Sequence, residues 1–155
     1  MGQGAGKGQR QMEIGPASPH DLAEVRRLLA RHHLPLDGVD EHVETMIVAR
    51  DGSGIIGSAA VEVYDDGALL RSVAVDPIAQ GQRLGQRLTE AALRLAHERG
   101  VDAVFLLTTT AERYFPKFGF ETIARTEVPP GVQSSIEFRS ACPVSAVAMR
   151  KRLDA

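Results

Sequence analysis

Apolar residues recur with two different periods along the chain, and the change of period divides it into elements. Leu22, Val25, Leu28 and Leu29 fall at helical spacing. Ser18 as N-cap, Pro19 at the first helical position and Asp21 in the first turn mark the start of that helix, in "SPHDLAEVRRLLARHHL". Ahead of it, Met12 to Pro16 reads as a short strand, and a second, shorter helix is predicted around Val39 to Val43. Three strand-like runs follow: Thr45 to Arg50, Ile55 to Tyr64, and Ala68 to Val75. "RDGSG" and "YDDG" separate them with turn chemistry, which predicts an antiparallel meander.

The helical period returns over Gln82 to Arg99, where Leu84, Leu88, Ala91, Ala92 and Leu95 make one apolar stripe and Gly100 is placed to end the helix. Val101 to Thr108 is almost wholly apolar, as expected of a strand buried on both faces. Thr110 to Phe118 is predicted as a short helix, and Phe120 to Arg125 as a strand. Residues 126–143 contain "VPPGVQSS" and read as irregular, and "SAVAMRKRL" alternates as a last strand. No internal repeat or domain boundary is visible. This order of elements predicts an α/β domain with a mixed sheet.

Length and charge narrow the function classes. A chain of 155 residues is one ordinary domain, able to bury roughly 70% of its unfolded surface. A formal charge of -2 gives no reason to expect nucleic acid or an anionic membrane as partner. The single cysteine, Cys142, excludes an intrachain disulfide and a multi-thiol zinc site. The histidines at 32, 33, 42 and 97 show no metal spacing, so no metal is expected; His32 and His33 read as a helix C-terminal pair favoured by the dipole. No apolar run approaches the roughly 20 residues of a membrane span. "MGQGAGKGQRQ" lacks the apolar core of a secretory signal, so residues 1–11 are expected to be a flexible lead-in to a domain over 12–155, in a cytoplasmic protein.

The candidate chemistry lies where the third strand of the meander hands over to the long helix, in "VAVDPIAQGQRLGQRL". The first turn of a helix leaves about four amides without partners and carries partial positive charge. A phosphate satisfies both where no bulky side chain blocks its approach. Gly81 and Gly85 supply clearance, and Arg83 and Arg87 add charge. The loop is not a Walker A sequence, because no Gly-Lys-Ser/Thr follows, and it lacks the setting of a dinucleotide fingerprint.

The stretch does resemble the GNAT family of acyl-CoA-dependent N-acetyltransferases. In that family a strand is followed by Gln/Arg-x-x-Gly-x-Gly/Ala opening a long helix, and here Gln80 and Gly85 stand at the ends of the pattern. A second segment comes about thirty residues later, an apolar strand and Phe-Tyr-x-x-x-Gly-Phe, represented by "VFLLTTTAERYFPKFGF". The resemblance implies a mixed, mostly antiparallel sheet of about seven strands with flanking helices. It also implies a V-shaped splay between the fourth and fifth strands. Amides from Gln82 through Gln86 (Gln82, Arg83, Leu84, Gly85, Gln86), with Gln80 and Gly81 before them, would hold the diphosphate of acetyl-CoA. Main-chain groups of Val73 and Val75 would pair with its pantetheine arm like an added strand.

Two positions depart from the pattern. Arg83 replaces the first motif glycine, and keeping the cradle requires a negative φ there, as the first turn of a helix does. The tyrosine that protonates the departing thiolate stands four before the motif glycine, here Gly119, and that position is Phe115. Tyr114 is its neighbour, about 100° away around a helix. The acid is therefore Tyr114 in a shifted register, another group, or water. A thiolate with a reference pKa of about 8.5 is a tolerable leaving group without an acid.

The tail "PPGVQSSIEFRSACPVSAVAMRKRL" is similar to that of GNAT members associated with arsenic-resistance operons, through Ser135, Glu137, Phe138, Cys142, Pro143, Ser145 and Ala146. Glu137 is a candidate to accept or bind the acceptor's ammonium, against a solvated or salt-bridged role. Glu62 and Tyr64 share one strand face by period-2 counting. That face is either the acceptor pocket or an exposed sheet face. Arg71 alternates with Val73 and Val75 and, with Arg139, is a candidate for an anionic group on the acceptor; a salt bridge from Arg71 to Glu62 is the competing reading. Thr108 ends a strand at the expected cleft, with Thr109 or Thr110 expected to cap the next helix. Cys142 is read as a packed thiol. The resemblance thus implies transfer of acetyl to the primary amine of a small, amino-acid-like molecule, linked to arsenic or toxic-compound resistance. A non-catalytic acyl-CoA sensor and a peptide or protein N-acetyltransferase are the alternatives, and a homodimer is left open.

Overall fold

The computed structural model describes residues 12–52, 54–79, 83–135, 137–141 and 145–153. Strand β1 (Glu13–Pro16) leads through a 3-10 turn (Pro19–Asp21) into α1 (Leu22–Arg31), and a 3-10 stretch (Asp40–Thr45) precedes the meander β2 (Met46–Asp51), β3 (Gly54–Tyr64) and β4 (Gly67–Val75). After it come α2 (Leu84–Glu98), β5 (Ala103–Thr108), a 3-10 turn (Phe115–Phe118), β6 (Glu121–Ile123), α3 (Pro130–Gln133), a π-helical turn (Glu137–Ala141) and β7 (Val147–Arg152). The seven strands form one sheet in the order β1-β2-β3-β4-β5-β7-β6, antiparallel throughout except where β4 lies parallel to β5. That is the mixed, mostly antiparallel sheet expected.

The two helical stripes cover opposite faces of this sheet. The apolar stripe of α2, with Leu84, Leu88 and Ala92 fully buried, packs on Ile56, Val61 and Leu70. A leucine buried to that extent contributes about 1.5–3 kcal/mol. On the other face, Val25, Leu28 and Leu29 of α1 pack on Val48, Ala60 and Ala74. Val128 and Val132 of the segment around α3 cover Leu69, Phe105 and Ala148 on that same side. The α1 start is built as its residues require: the Ser18 amide donates to Asp21 Oδ2 at 2.8 Å, and Arg50 holds that carboxylate at 3.0 Å. No helix among the described residues is long and apolar enough to cross a membrane.

Three expectations change. Residues 110–118 are not a helix; only Phe115–Phe118 forms a 3-10 turn. Pro116 has no amide to donate and its ring would crowd the carbonyl of residue 112, so a continuous α-helix cannot pass through it. Residues 126–143 are not irregular: a 3-10 turn at Arg125–Glu127, α3 and the π turn fill most of them. Asp66 Oδ2 accepts from the Gly131 amide at 2.8 Å and so ties the start of α3 to the β3–β4 turn. The long helix begins at Leu84, two residues later than predicted, and Gln80, Gly81 and Gln82 lie outside the described residues.

Candidate active site

Strands β4 and β5 pair only at Ala68 with Val104 and Leu69 with Phe105. Beyond those residues they part, and a cleft of about 730 Å³ opens between them. Its walls are Leu70–Val75 of β4 and Leu106–Thr108 of β5 with the threonines beyond. Val73 and Val75 stand on the β4 wall, where no strand among the described residues pairs with the β5-facing edge. An extended molecule lying along that edge would meet main-chain groups with strand spacing.

One end of the cleft is the first turn of α2, lined by Arg83, Leu84, Gly85 and Gln86. Arg83 takes φ 58° and ψ 22° at the N-cap, so the negative φ expected of it is overturned. The position needs the left-handed conformation that glycine adopts without penalty, and arginine holds it at a cost of about 1–2 kcal/mol. Its side chain is exposed on the cleft rim. Gly85 has a different reason: a Cβ there would come within 2.9 Å of the Tyr114 hydroxyl. Tyr114 thus lays its OH against the first turn of α2, and Lys117 Nζ sits 4.3 Å over its ring. Burial raises the Tyr114 pKa, Thr89 offsets part of that rise, and the negative charge of Glu90 adds a smaller rise. Phe115 stacks edge-on to Tyr114 and Phe120 in the core and brings no polar atom to the cleft.

The other end holds a buried charge cluster. Arg71, Glu62 and Glu137 are 3%, 1% and 4% exposed. Arg71 NH1 donates to Glu62 Oε2 at 2.7 Å, Nε lies 3.3 Å from Glu137 Oε2, and NH2 donates to the Pro35 carbonyl at 3.2 Å. Tyr64 donates its hydroxyl to Glu62 Oε1, and His42 Nε2 stands 3.3 Å from Glu62 Oε2. Burial and the neighbouring carboxylate push the Tyr64 pKa well above the tyrosine range, so it stays a donor. Two carboxylates share one guanidinium, and Arg71 and Glu137 face the cleft.

A bulge builds this arrangement. The β3–β4 register shifts between Ser58 and Ala60, and Ser72 adopts φ 61° with its carbonyl accepting from Ser58 Oγ at 2.7 Å. Side chains alternate strictly only without such an extra residue. Arg71 therefore leaves the face of Val73 and Val75, which pack with α2, and joins Glu62 on the opposite face. The expected alternation of the three on one face is overturned by Ser72. The salt bridge to Glu62, the competing reading, is present, and Glu62 is buried rather than on an exposed face.

The remaining predicted residues divide. Glu137, Thr108 and Tyr114 line the cleft; Glu62 reaches it only through Arg71, and the exposed Arg139 is not among its walls. Thr108, not Thr109 or Thr110, caps the turn that follows: its Oγ1 accepts from the amides of Thr110 at 3.3 Å and Ala111 at 2.9 Å. Cys142 lies outside the described residues. Lys117, His32 and His33 line the cleft without having been singled out as site residues. The pattern gave no sign of Lys117, and the two histidines were accounted for by the helix end they follow.

Comparison with known proteins agrees with this geometry. The acetyltransferase (GNAT) domain profile matches residues 42–122, from the end of the 3-10 stretch through β6. An amino-acid acetyltransferase of Neisseria meningitidis is 26% identical over 116 residues, 72% of this chain and 27% of the relative. One of Mycobacterium tuberculosis is 33% identical over 75 residues, 48% of this chain and 42% of that one. The chain thus spans about a quarter of the length of the first relative. N-acetylglutamate synthase of Neisseria gonorrhoeae, solved with coenzyme A and N-acetyl-glutamate, superposes with a TM-score of 0.79 at 20% identity, over 95% of this chain and 36% of that one. A Mycobacterium tuberculosis protein solved with CoA superposes with a TM-score of 0.76 at 21% identity, over 92% and 99%. A profile that spans more than half of the chain, on a sheet that parts where such a fold parts, decides the family: the chain belongs to the GNAT acetyltransferases.

Proposed function

We propose that this chain is an acetyl-CoA-dependent N-acetyltransferase whose acceptor is the primary amine of a small, amino-acid-like molecule. The observation that carries the reading is the cleft between β4 and β5, with the first turn of α2 at one end and the Arg71–Glu137 pair at the other. Amides of the α2 first turn, Leu84 through Gln86, hold the diphosphate; the left-handed Arg83 caps that turn from outside it, so the positive φ leaves these amides in place. Val73 and Val75 orient the pantetheine arm along the β4 edge. The acyl donor supplies a thioester carbonyl open to attack by an amine. Tyr114, whose phenol is ordinarily protonated at neutral pH with a reference pKa of about 10, gives that proton to the leaving sulfur. Glu137 receives the acceptor's ammonium, and Arg71, with Thr108, receives an anionic group on the same molecule.

Support for an amino-acid-like acceptor comes from the relatives, which are amino-acid acetyltransferases, and from the size of the cleft. The segment around α3 and the π turn supports a small acceptor over a peptide, because Val132 and Phe138 pack on the sheet with Leu69, Phe105 and Ala148 while Glu137 beside them lines the cleft. The similarity of Ser135, Glu137 and Phe138 to arsenic-associated members supports a role in resistance to arsenicals or other toxic amino-acid analogues. Free-thiol release from acetyl-CoA, measured against amino acids and their carboxylate, phosphinate and arsenical analogues, is expected to show transfer to at least one of them. Silence across that panel, with acetyl-CoA still bound in calorimetry, would instead support a non-catalytic acyl-CoA sensor, the reading that Phe115 at the tyrosine position favours.

A further inference from the structure

Among the described residues, His33, Ser72 and Arg83 are the non-glycine residues held in the left-handed region, and all of them line the cleft. Strained backbone of this kind gathers at functional sites. Two of the cases have their reasons in the geometry already given: Ser72 makes the bulge that turns Arg71 onto the face of Glu62, and Arg83 opens α2. His33 is the third. It follows α1, where its amide donates to the Ala30 carbonyl at 3.1 Å and the Leu34 amide reaches back to Leu29 at 3.0 Å. That closure places its left-handed residue where glycine is the usual choice, and glycine would make the same two bonds without crowding a Cβ. The chain instead carries an exposed imidazole there, on the rim of the cleft beside Pro35, whose carbonyl holds Arg71.

We propose that His33 is the group that carries the acceptor's ammonium proton from the cleft to solvent. The inference rests on the acyl-transfer reading above. A primary ammonium cannot attack a carbonyl until it loses a proton, and that proton must leave the protein. Glu137 is 4% exposed and paired with Arg71 at the inner end of the cleft, whereas His33 stands exposed at its rim. The imidazole of His33 takes the N–H proton and returns it to water, so one proton moves from amine to bulk and nothing is oxidised or reduced. Histidine is the side chain whose charge ordinarily changes between pH 5 and 8. The ionisable groups of its own segment are His32 and Arg31, the latter paired with Asp76 at 3.2 Å, and those that share the cleft lining are Arg71, Arg83, Tyr114, Lys117 and Glu137.

His33→Gly and His33→Asn test the assignment, since both accept the left-handed conformation and neither titrates. Both are expected to melt at or above the wild-type temperature and to keep KM for acetyl-CoA within about twofold. Their kcat/KM for the amine is expected to fall roughly tenfold to a hundredfold at pH 7, with the acid limb of the pH profile displaced and part of the rate restored by added imidazole. Wild-type kcat/KM and an unchanged pH profile in both variants would overturn the assignment and leave acyl transfer standing. If the wild-type chain releases no thiol with any amine, acyl transfer falls and His33 falls with it.

Discussion

Arg71 is the residue on which the buried charge cluster at one end of the cleft depends, because it is the guanidinium between two buried carboxylates. Ion pairs held out of water gain little over apolar packing, yet removing one partner strands the other and costs about 3–5 kcal/mol. Arg71→Met would take the guanidinium from both Glu62 and Glu137, with the Tyr64 hydroxyl and His42 still within reach of Glu62. The substitution is therefore expected to lower stability by at least about 3 kcal/mol, a fall in melting temperature of roughly 6 °C or more for a chain of this size. The double variant Arg71→Met, Glu62→Met removes the closest pair together and should cost less than the two single changes added. Thermal melts of the three variants measure this. An Arg71→Met melt within about 1 kcal/mol of wild type would show that the cluster does not hold the cleft together.

At the scale of elements, the site is an agreement between the α2 start and the turn that carries Tyr114. Gly85→Ala improves helix propensity by about 1 kcal/mol, but its Cβ would stand 2.9 Å from the Tyr114 hydroxyl. The ring, packed edge-on against Phe115 and Phe118, has little room to retreat. Gly85→Ala alone is expected to destabilise and to weaken acetyl-CoA binding. In a Tyr114→Phe background the same substitution should become neutral or stabilising, a coupling of about 1 kcal/mol in a double-mutant cycle. Additive effects would mean that hydroxyl and helix do not meet. This pairing was half legible: Gly85 and Tyr114 were each singled out by their motifs, but their contact joins elements far apart in sequence. The bounds of the meander strands and α2 were legible to within one or two residues because turn residues bracket the strands and the α2 stripe keeps its period. The Ser72 bulge was not, since "RSVAV" alternates equally well with or without it, and so Arg71 was placed on the wrong face. His33 stayed hidden for a related reason: the end of α1 already accounted for it, and only its φ set it apart.

Across the whole molecule the sheet is two pieces, β1 to β4 and β5 with β7 and β6, joined by the two pairings at the closed end of the cleft and by a shared core. That core runs from Val61 and Leu70 on one side to Val104, Leu106 and Met149 on the other. The open end has no such bridge, because Leu70–Val75 and Leu106–Thr108 face each other across the cleft. A ligand lying along β4 with its phosphates on α2 would cross this weak line and bind the folded chain alone. At a concentration about 100 times its dissociation constant, such a ligand adds about 2.7 kcal/mol. For a domain of this length that is a rise in melting temperature of roughly 5–10 °C. Acetyl-CoA is expected to produce it. Acetyl-pantetheine, with the arm but without the phosphates, should give a much smaller shift at equal concentration, since it forgoes the amides and dipole of α2. Raising the salt concentration should shrink the difference between the two ligands, because Arg83 and Lys117 stand exposed on the cleft at the end where the phosphates would lie, and their charge is screened. Equal shifts from both ligands would remove the α2 end from the site and leave the β4 edge as its sole anchor; no shift from either would mean that the cleft is not where the acyl donor binds.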